Sequence, residues 1–135
     1  MCPVTFNVLV TMNDTKYKKN FGNKAEELAC EYLSELGYKI VERNFLIRGG
    51  EVDIIAWDKN TLVFVEVKAR FSHSYGTPFE AITYFKIKSL LKTALVYIQK
   101  RKLGDISYRF DAVSIDYTKS FQNPDIDLMK NIIEG

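Results

Sequence analysis

Asp53, Glu66 and Lys68 are the residues of this chain whose types and spacing carry chemistry. They fall on two candidate strands joined by the short segment Asp58-Lys59-Asn60-Thr61. Whether the turn uses two of these residues or all four, the register is the same: Trp57 faces Leu62, Ile55 faces Phe64, Asp53 faces Glu66 and Glu51 faces Lys68. Side chains alternate along a strand, so Glu51, Asp53, Ile55 and Trp57 are expected to share a face with Leu62, Phe64, Glu66 and Lys68. The other face, Val52, Ile54, Ala56, Val63, Val65 and Val67, is wholly apolar and must be covered. Directly opposed residues bring carboxylates to roughly 5 Å, where they repel by about 3 kcal/mol at an effective dielectric of ~20. A cation must therefore sit between Asp53 and Glu66. Lys68 is one candidate, and an exposed salt bridge of that kind is worth about 0–1 kcal/mol. A divalent ion is the other, favoured because two acids converge beside a valine-rich strand with Glu51 next to them. Two carboxylates suit Mg²⁺ or Mn²⁺, which keep several waters and can present one as nucleophile. A lysine beside the ion can steady that water or the charge developing on a phosphate.

The elements that must position these residues are legible in the pattern. Over residues 22–37, Ala25, Leu28, Ala29, Tyr32, Leu33 and Leu36 recur at helical spacing, with Gly37 as the stop. On that helix Glu26 flanks the apolar stripe and can reach the sheet, while Glu27 points to solvent; spacing alone slightly favours an ordinary boundary glutamate near a helix N-terminus. Residues 38–46 read as a strand, Gly49-Gly50 as a break, and 51–57 and 62–70 as the hairpin. After a loop through Gly76 and Pro78, a second helix is predicted over residues 79–101. Ile87, Leu91, Ala94, Leu95 and Ile98 form its apolar face, with Lys86, Lys88 and Lys92 off that stripe and Gly104 ending it. Residues 106–117 read as a further strand, and within the tail, 127–133 is either a short strand or a helical turn.

Length and composition narrow the classes of function. At 135 residues, 47% hydrophobic and 27% charged, the chain has room for one domain with a real core and no second catalytic module. That domain is expected over residues 22–135. Residues 1–21 read as an extension that is either disordered or mis-started: Val4, Phe6, Val8 and Val10 alternate like a strand, yet Met12 is a plausible natural initiator. A net charge of +2 neither demands nor excludes a nucleic-acid partner. No apolar stretch approaches the ~20 residues of a membrane helix, and the opening segment is a poor signal peptide, so the expected setting is the cytoplasm, without a membrane partner. Cys2 and Cys30 lack a CxxC partner and His73 is the only histidine, which argues against structural zinc and thiol–histidine catalysis. Cys30 reads as helix packing and His73 as a solvated loop residue.

Asp53 followed by Glu66-Val67-Lys68 resembles the PD-(D/E)XK nuclease signature, an acid and then acid-x-Lys across a β-hairpin. The setting is more specific than the motif. Gly22, Ala25-Glu26, Ala29, Tyr32-Leu33, Gly37-Tyr38, Arg43-Asn44, Gly50-Glu51-Val52-Asp53 and Val63-Phe64-Val65-Glu66-Val67-Lys68-Ala69-Arg70 run in order. Lys86, Ala94 and Arg109-Phe110-Asp111 follow them. This series resembles the YraN-type family of bacterial proteins, predicted endonucleases related to archaeal Holliday-junction resolvases. The proline that names the wider signature is absent before Asp53, and the first residues have no counterpart.

The resemblance implies a restriction-endonuclease-like α/β core, α-β-β-β-α-β, with a central mixed sheet flanked by helices. It implies that Asp53, Glu66 and the Val67 carbonyl hold Mg²⁺ or Mn²⁺, that Lys68 positions the attacking water, and that Glu26 helps bind a metal or its water. Glu51 matches the family pattern, with orientation of Lys68 as its expected task. For a nucleic-acid partner, most simply DNA, the basic candidates are Arg70, Lys86, Lys88, Arg109, Arg101 and the cluster Lys16, Lys18 and Lys19. Tyr75, Phe79 and Tyr84 are candidates for stacking on bases. One chain holds one site, so cutting both strands of a junction would require a homodimer. The rival reading is a catalytically silent nucleic-acid-binding domain that keeps the fold.

Overall fold

A tight turn between two apolar strands sets the centre of the sheet. The computed structural model describes residues 15–71 and 84–133, with side chains from Asn23 onward in the first helix and from Phe85 onward in the second. The order is α1 (Thr15–Glu35), β1 (Lys39–Ile47), β2 (Gly50–Asp58), β3 (Thr61–Arg70), α2 (Tyr84–Lys100), β4 (Ser107–Asp116) and β5 (Asp125–Met129). The strands lie side by side as β1-β2-β3-β4-β5. All neighbours are antiparallel except β3 and β4, which run parallel from the pair Thr61–Ser107 to Arg70–Asp116. This is the expected α/β architecture, a mixed sheet with a helix on each face.

The two faces carry separate cores. Ala25, Ala29 and Leu33 of α1 pack with Ile54, Ala56, Val63, Val65, Val113 and Ile115. On the opposite face Leu90, Ala94 and Tyr97 of α2 pack with Phe45, Val52, Ile55, Leu62, Phe64 and Phe110. The half-buried thiol of Cys30 packs against the first cluster, as its position on the helix predicts. Among the described residues no helix is long and apolar enough to cross a membrane.

Several local expectations change. α1 starts at Thr15, earlier than the predicted residue 22, and ends as expected at Gly37, whose φ of 96° closes a Schellman motif. There Tyr38 N donates to Leu33 O at 2.9 Å and Gly37 N to Ser34 O at 3.0 Å. Leu36 lies past that end and is exposed. α2 stops at Lys100, and its left-handed cap is Lys102, φ 55°; Gly104, φ 72°, is left-handed two residues further on. Its buried stripe is Leu90, Thr93, Ala94 and Tyr97, whereas Leu91 and Leu95 are exposed. The stripe is rotated because the helix approaches β2 at Gly50, where a Cβ would stand 2.9 Å from Ser89 Oγ and closer still to Thr93 Oγ1. Thr93 tolerates burial because its hydroxyl donates to Ser89 O at 2.7 Å. The tail forms β5 at Asp125–Met129, two residues ahead of the predicted segment. The readings of Cys2, Val4–Val10, Met12, His73, Gly76, Pro78, Tyr75 and Phe79 lie outside the described residues, as does the predicted start of the second helix. The side chains of Lys16, Lys18, Lys19 and Tyr84 lie outside them too.

Candidate active site

The hairpin register is the predicted one: Trp57 pairs with Leu62 and Ile55 with Phe64. The ladder between β2 and β3 ends at Ile54–Val65, one step before Asp53 and Glu66. There the backbone pairing gives way to a side chain, since Asp53 Oδ2 accepts from Val67 N at 2.8 Å. Strict alternation also fails at this level. Val52 belongs to the core of Ile55 and Phe64, not to that of Ile54 and Ala56 as alternation requires. On the neighbouring strand, Arg43 pairs with Ile54 and Phe45 with Val52. Between them stands Asn44 with φ 54°, a left-handed conformation that asparagine tolerates better than most residues. The irregularity thus frees Asp53 from a regular face and lets its carboxylate lie against the β3 backbone.

Burial makes this carboxylate pair costly. Asp53 and Glu66 are 9% and 3% exposed. Burial raises the pKa of Asp53 first, and the charge of Glu51 raises it further, against the hydrogen bond from Val67 N. Glu66 is pushed up to about 7, by burial first and then by the charge of Asp53, with Lys86 and Lys68 pulling the other way. Two ammonium groups attend Glu66: Lys86 Nζ lies 3.2 Å from Oε2 and Lys68 Nζ 4.0 Å from Oε1. Oε2 is nonetheless buried without a directed hydrogen bond. Glu26, on α1, is raised by burial and by Asp53, lowered by hydrogen bonding from Asn44, and lies 3.6 Å from the guanidinium of Arg43. Its Oε1 likewise lacks a hydrogen bond.

This donor set fits a hard divalent ion through two carboxylates, with water and backbone oxygen completing its shell. It is not a preassembled cage, for among the described residues no three Asp, Glu, His or Cys side chains converge on one point.

Residues 25–115, which hold every one of these groups, match the uncharacterised protein family UPF0102. The chain belongs to that family. A UPF0102 protein of Geobacter metallireducens is 47% identical over 118 residues, covering 87% of this chain and 95% of its own length. Its counterpart in Caldicellulosiruptor saccharolyticus is 46% identical over 114 residues, covering 84% and 97%. One from Clostridium botulinum is 43% identical over 117 residues, covering 86% and 95%. The YraN-type resemblance read from the motifs therefore stands as membership of UPF0102.

Within this UPF0102 fold the anticipated residues divide into three groups. Asp53, Glu66, Lys68 and the Val67 peptide come together, and Glu26 approaches from α1 closely enough for the charge of Asp53 to raise its titration. Glu51 stands apart: it is exposed, pairs with Leu46 on β1, and leaves Lys68 to Glu66. The expected Glu51–Lys68 facing is absent because the β2–β3 ladder has already ended. Of the residues assigned to nucleic acid, Lys88 is exposed on α2 and Arg70 is half-buried at the end of β3. Arg109 is committed elsewhere, to Asp58 at 2.7 Å, to Asp111 at 3.0 Å and to the hydroxyl of Tyr38 at 2.7 Å. Arg101 pairs with Glu42 at 2.8 Å.

Lys86, expected among the nucleic-acid contacts and off the apolar stripe of the second helix, lies against Glu66 in the site. Its spacing from Leu90, Thr93 and Tyr97, at helical intervals, is the signal that would have placed it there, had the buried stripe been drawn through Thr93 and Tyr97 instead of Leu91 and Leu95.

Proposed function

We propose that this UPF0102 chain is a metal-dependent endonuclease that hydrolyses phosphodiester bonds of DNA, with branched or junction DNA as its structure-specific substrate. Its hairpin resembles that of the PD-(D/E)XK nucleases, and the reading extends to their relatives, the archaeal Holliday-junction resolvases. The observation that carries it is a buried carboxylate pair whose charge folding leaves incompletely compensated, with a lysine two positions along the same strand. A buried acid whose titration is displaced by burial and a specific charged neighbour marks a candidate functional site.

Asp53, Glu66 and the Val67 carbonyl are the groups that would hold Mg²⁺ or Mn²⁺, with Glu26 beside them to help hold the ion. When bound, the ion lowers the cost of deprotonating water and offsets charge building on the phosphate. Lys68 orients the attacking water, whose oxygen bonds to phosphorus as the bond to the 3′-oxygen breaks. Val67 N fixes the carboxylate of Asp53, so that its second oxygen faces a constant direction. Arg70 and Lys88 supply backbone contacts without sequence preference. Glu51 raises the local negative potential and so favours cation capture. A homodimer would bring two such sites to opposed strands.

The test is a cleavage assay on plasmid, linear and four-way-junction DNA with Mg²⁺ or Mn²⁺, comparing wild type with Asp53→Ala and Lys68→Ala. Cleavage that falls at least ~100-fold in both variants is expected, in line with loss of a residue acting in the transition state. Failure of the wild type to cut any DNA or RNA form would falsify the proposal. A second reading, a silent DNA-binding domain, draws on Lys86 occupying Glu66 and on the lack of a three-carboxylate cage among the described residues. It predicts salt-sensitive binding of DNA with no cleavage and no dependence on Asp53.

A further inference from the structure

Two lysines reach Glu66 from different elements, and the more distant in sequence is the closer in space. Lys68 comes from the same strand and stands 4.0 Å from Oε1; Lys86 comes from the first turn of α2 and stands 3.2 Å from Oε2. Glu66 has a side chain only 4% exposed, whereas that of Lys86 is 26% exposed, so the ammonium closes the site from its solvent side.

We propose that Lys86 is a resident counter-ion of this site, whose ammonium holds the place on Glu66 Oε2 that a divalent cation takes when it binds. This rests on the metal-dependent reading above and adds to it a competition between an internal and an external cation. An ammonium 3.2 Å from Oε2 repels a cation bonded to that same oxygen at about 2.1 Å. The lysine stem is long and flexible, so the head group leaves by rotation about its own bonds, without a shift of the helix. With the divalent ion bound, the ammonium of Lys86 would be presented at the mouth of the site, where an anionic phosphate would arrive. Lys86 is thus a positioning residue: it keeps Asp53 and Glu66 together in the metal-free protein and moves toward the ligand once the metal has replaced it.

The test uses the full chain without nucleic acid. Calorimetric titration with Mn²⁺ is expected to show Lys86→Met binding about tenfold more tightly than wild type, because a competing positive charge has been removed. Lys86→Arg, which keeps the charge, is expected to stay near wild type, as is Lys92→Met on the exposed side of the same helix. A purely structural role for Lys86 would weaken Mn²⁺ binding in the methionine variant, and equal or weaker binding overturns the proposal. If Lys86→Met does not fold, amine-reactive labelling of the wild type decides: modification of Lys86 should rise several-fold on adding Mn²⁺ while that of Lys92 does not. An unchanged Lys86 rate overturns the idea. Tighter Mn²⁺ binding by the variant in a protein that cuts nothing would sink the nuclease reading alone, and cleavage with unchanged Mn²⁺ affinity would sink only the role given to Lys86.

Discussion

The sheet holds two clusters of buried acid and base, and they are built to opposite ends. Around Asp111 every group is satisfied. Its Oδ1 accepts from Arg109 Nε at 3.0 Å and from Asn131 N at 2.9 Å, and its Oδ2 from Tyr38 Oη at 2.9 Å. Arg109 also bonds Asp58, whose pKa is lowered by that bond, while the guanidinium itself is pushed up. Around Asp53 and Glu66 the acids are raised, two carboxylate oxygens in the neighbourhood lack hydrogen bonds, and flexible ammonium groups replace the fixed fork of a guanidinium. The first cluster ties β4 to the hairpin turn, to the end of α1 and to the tail. The second remains open to exchange. Both contain two carboxylates and a cation two positions from one of them on the same strand, so composition does not separate them; completeness of hydrogen bonding does.

The largest effect expected from breaking this contrast is at Arg109. Arg109→Met leaves Asp111 buried without its guanidinium and should cost about 3–5 kcal/mol in chemical denaturation, with Mn²⁺ affinity per folded molecule unchanged. Gly50→Ala acts on the element that delivers Lys86. A methyl there meets Thr93 Oγ1 and Ser89 Oγ and should cost about 1–3 kcal/mol, while displacing α2 from the site. An alanine variant of normal melting temperature would refute that close approach.

The third prediction concerns pH. Glu66 has a folded-state pKa raised from 4.5 to about 7, so its contribution to stability is fully present below pH 4.5 and is lost as pH rises through about 7. Glu66→Gln removes that loss. Its melting temperature relative to wild type should climb between pH 5 and pH 8, and a difference flat with pH would contradict the raised titration. A divalent cation should stabilise wild type in the same direction, more at pH 8 than at pH 5. The smallest effect is at Tyr38, where Tyr38→Phe removes one hydroxyl from the satisfied cluster and should cost about 1 kcal/mol in the same denaturation experiment.

Much of the open cluster was legible before any coordinates, and the reason is local. The length of a hairpin turn sets its register, so Asp58 to Thr61 suffice to run the ladder out to Ile54–Val65, one step short of Asp53 and Glu66. What stayed hidden depends on contacts between distant segments. The place of Lys86 beside Glu66 is hidden because the most apolar letters of α2 suggest a stripe through Leu91 and Leu95, while the buried one passes through Thr93 and Tyr97, against the bare backbone of Gly50. Arg109 was read as a phosphate ligand because a strand arginine two positions from an aspartate gives no hint that a tyrosine and a second aspartate, from the other end of the domain, will surround it. The crossing of Val52 to the other core was invisible for a similar reason, since the break in alternation at Asp53 lies level with the left-handed turn of Asn44 on the adjacent strand.

The parallel pairing of β3 with β4 has a kinetic consequence. Parallel neighbours cannot be joined by a tight turn, so the chain must leave the site at Arg70, travel through α2 and return before the sheet can be completed. The hairpin that unites Asp53 and Glu66 is a short-range structure and closes early; the helix bearing Lys86 docks only after a long loop has been closed. During folding the two acids therefore meet in water before the ammonium that will accompany them arrives. Raising pH should slow the last step of folding, and millimolar divalent salt should relieve that slowing.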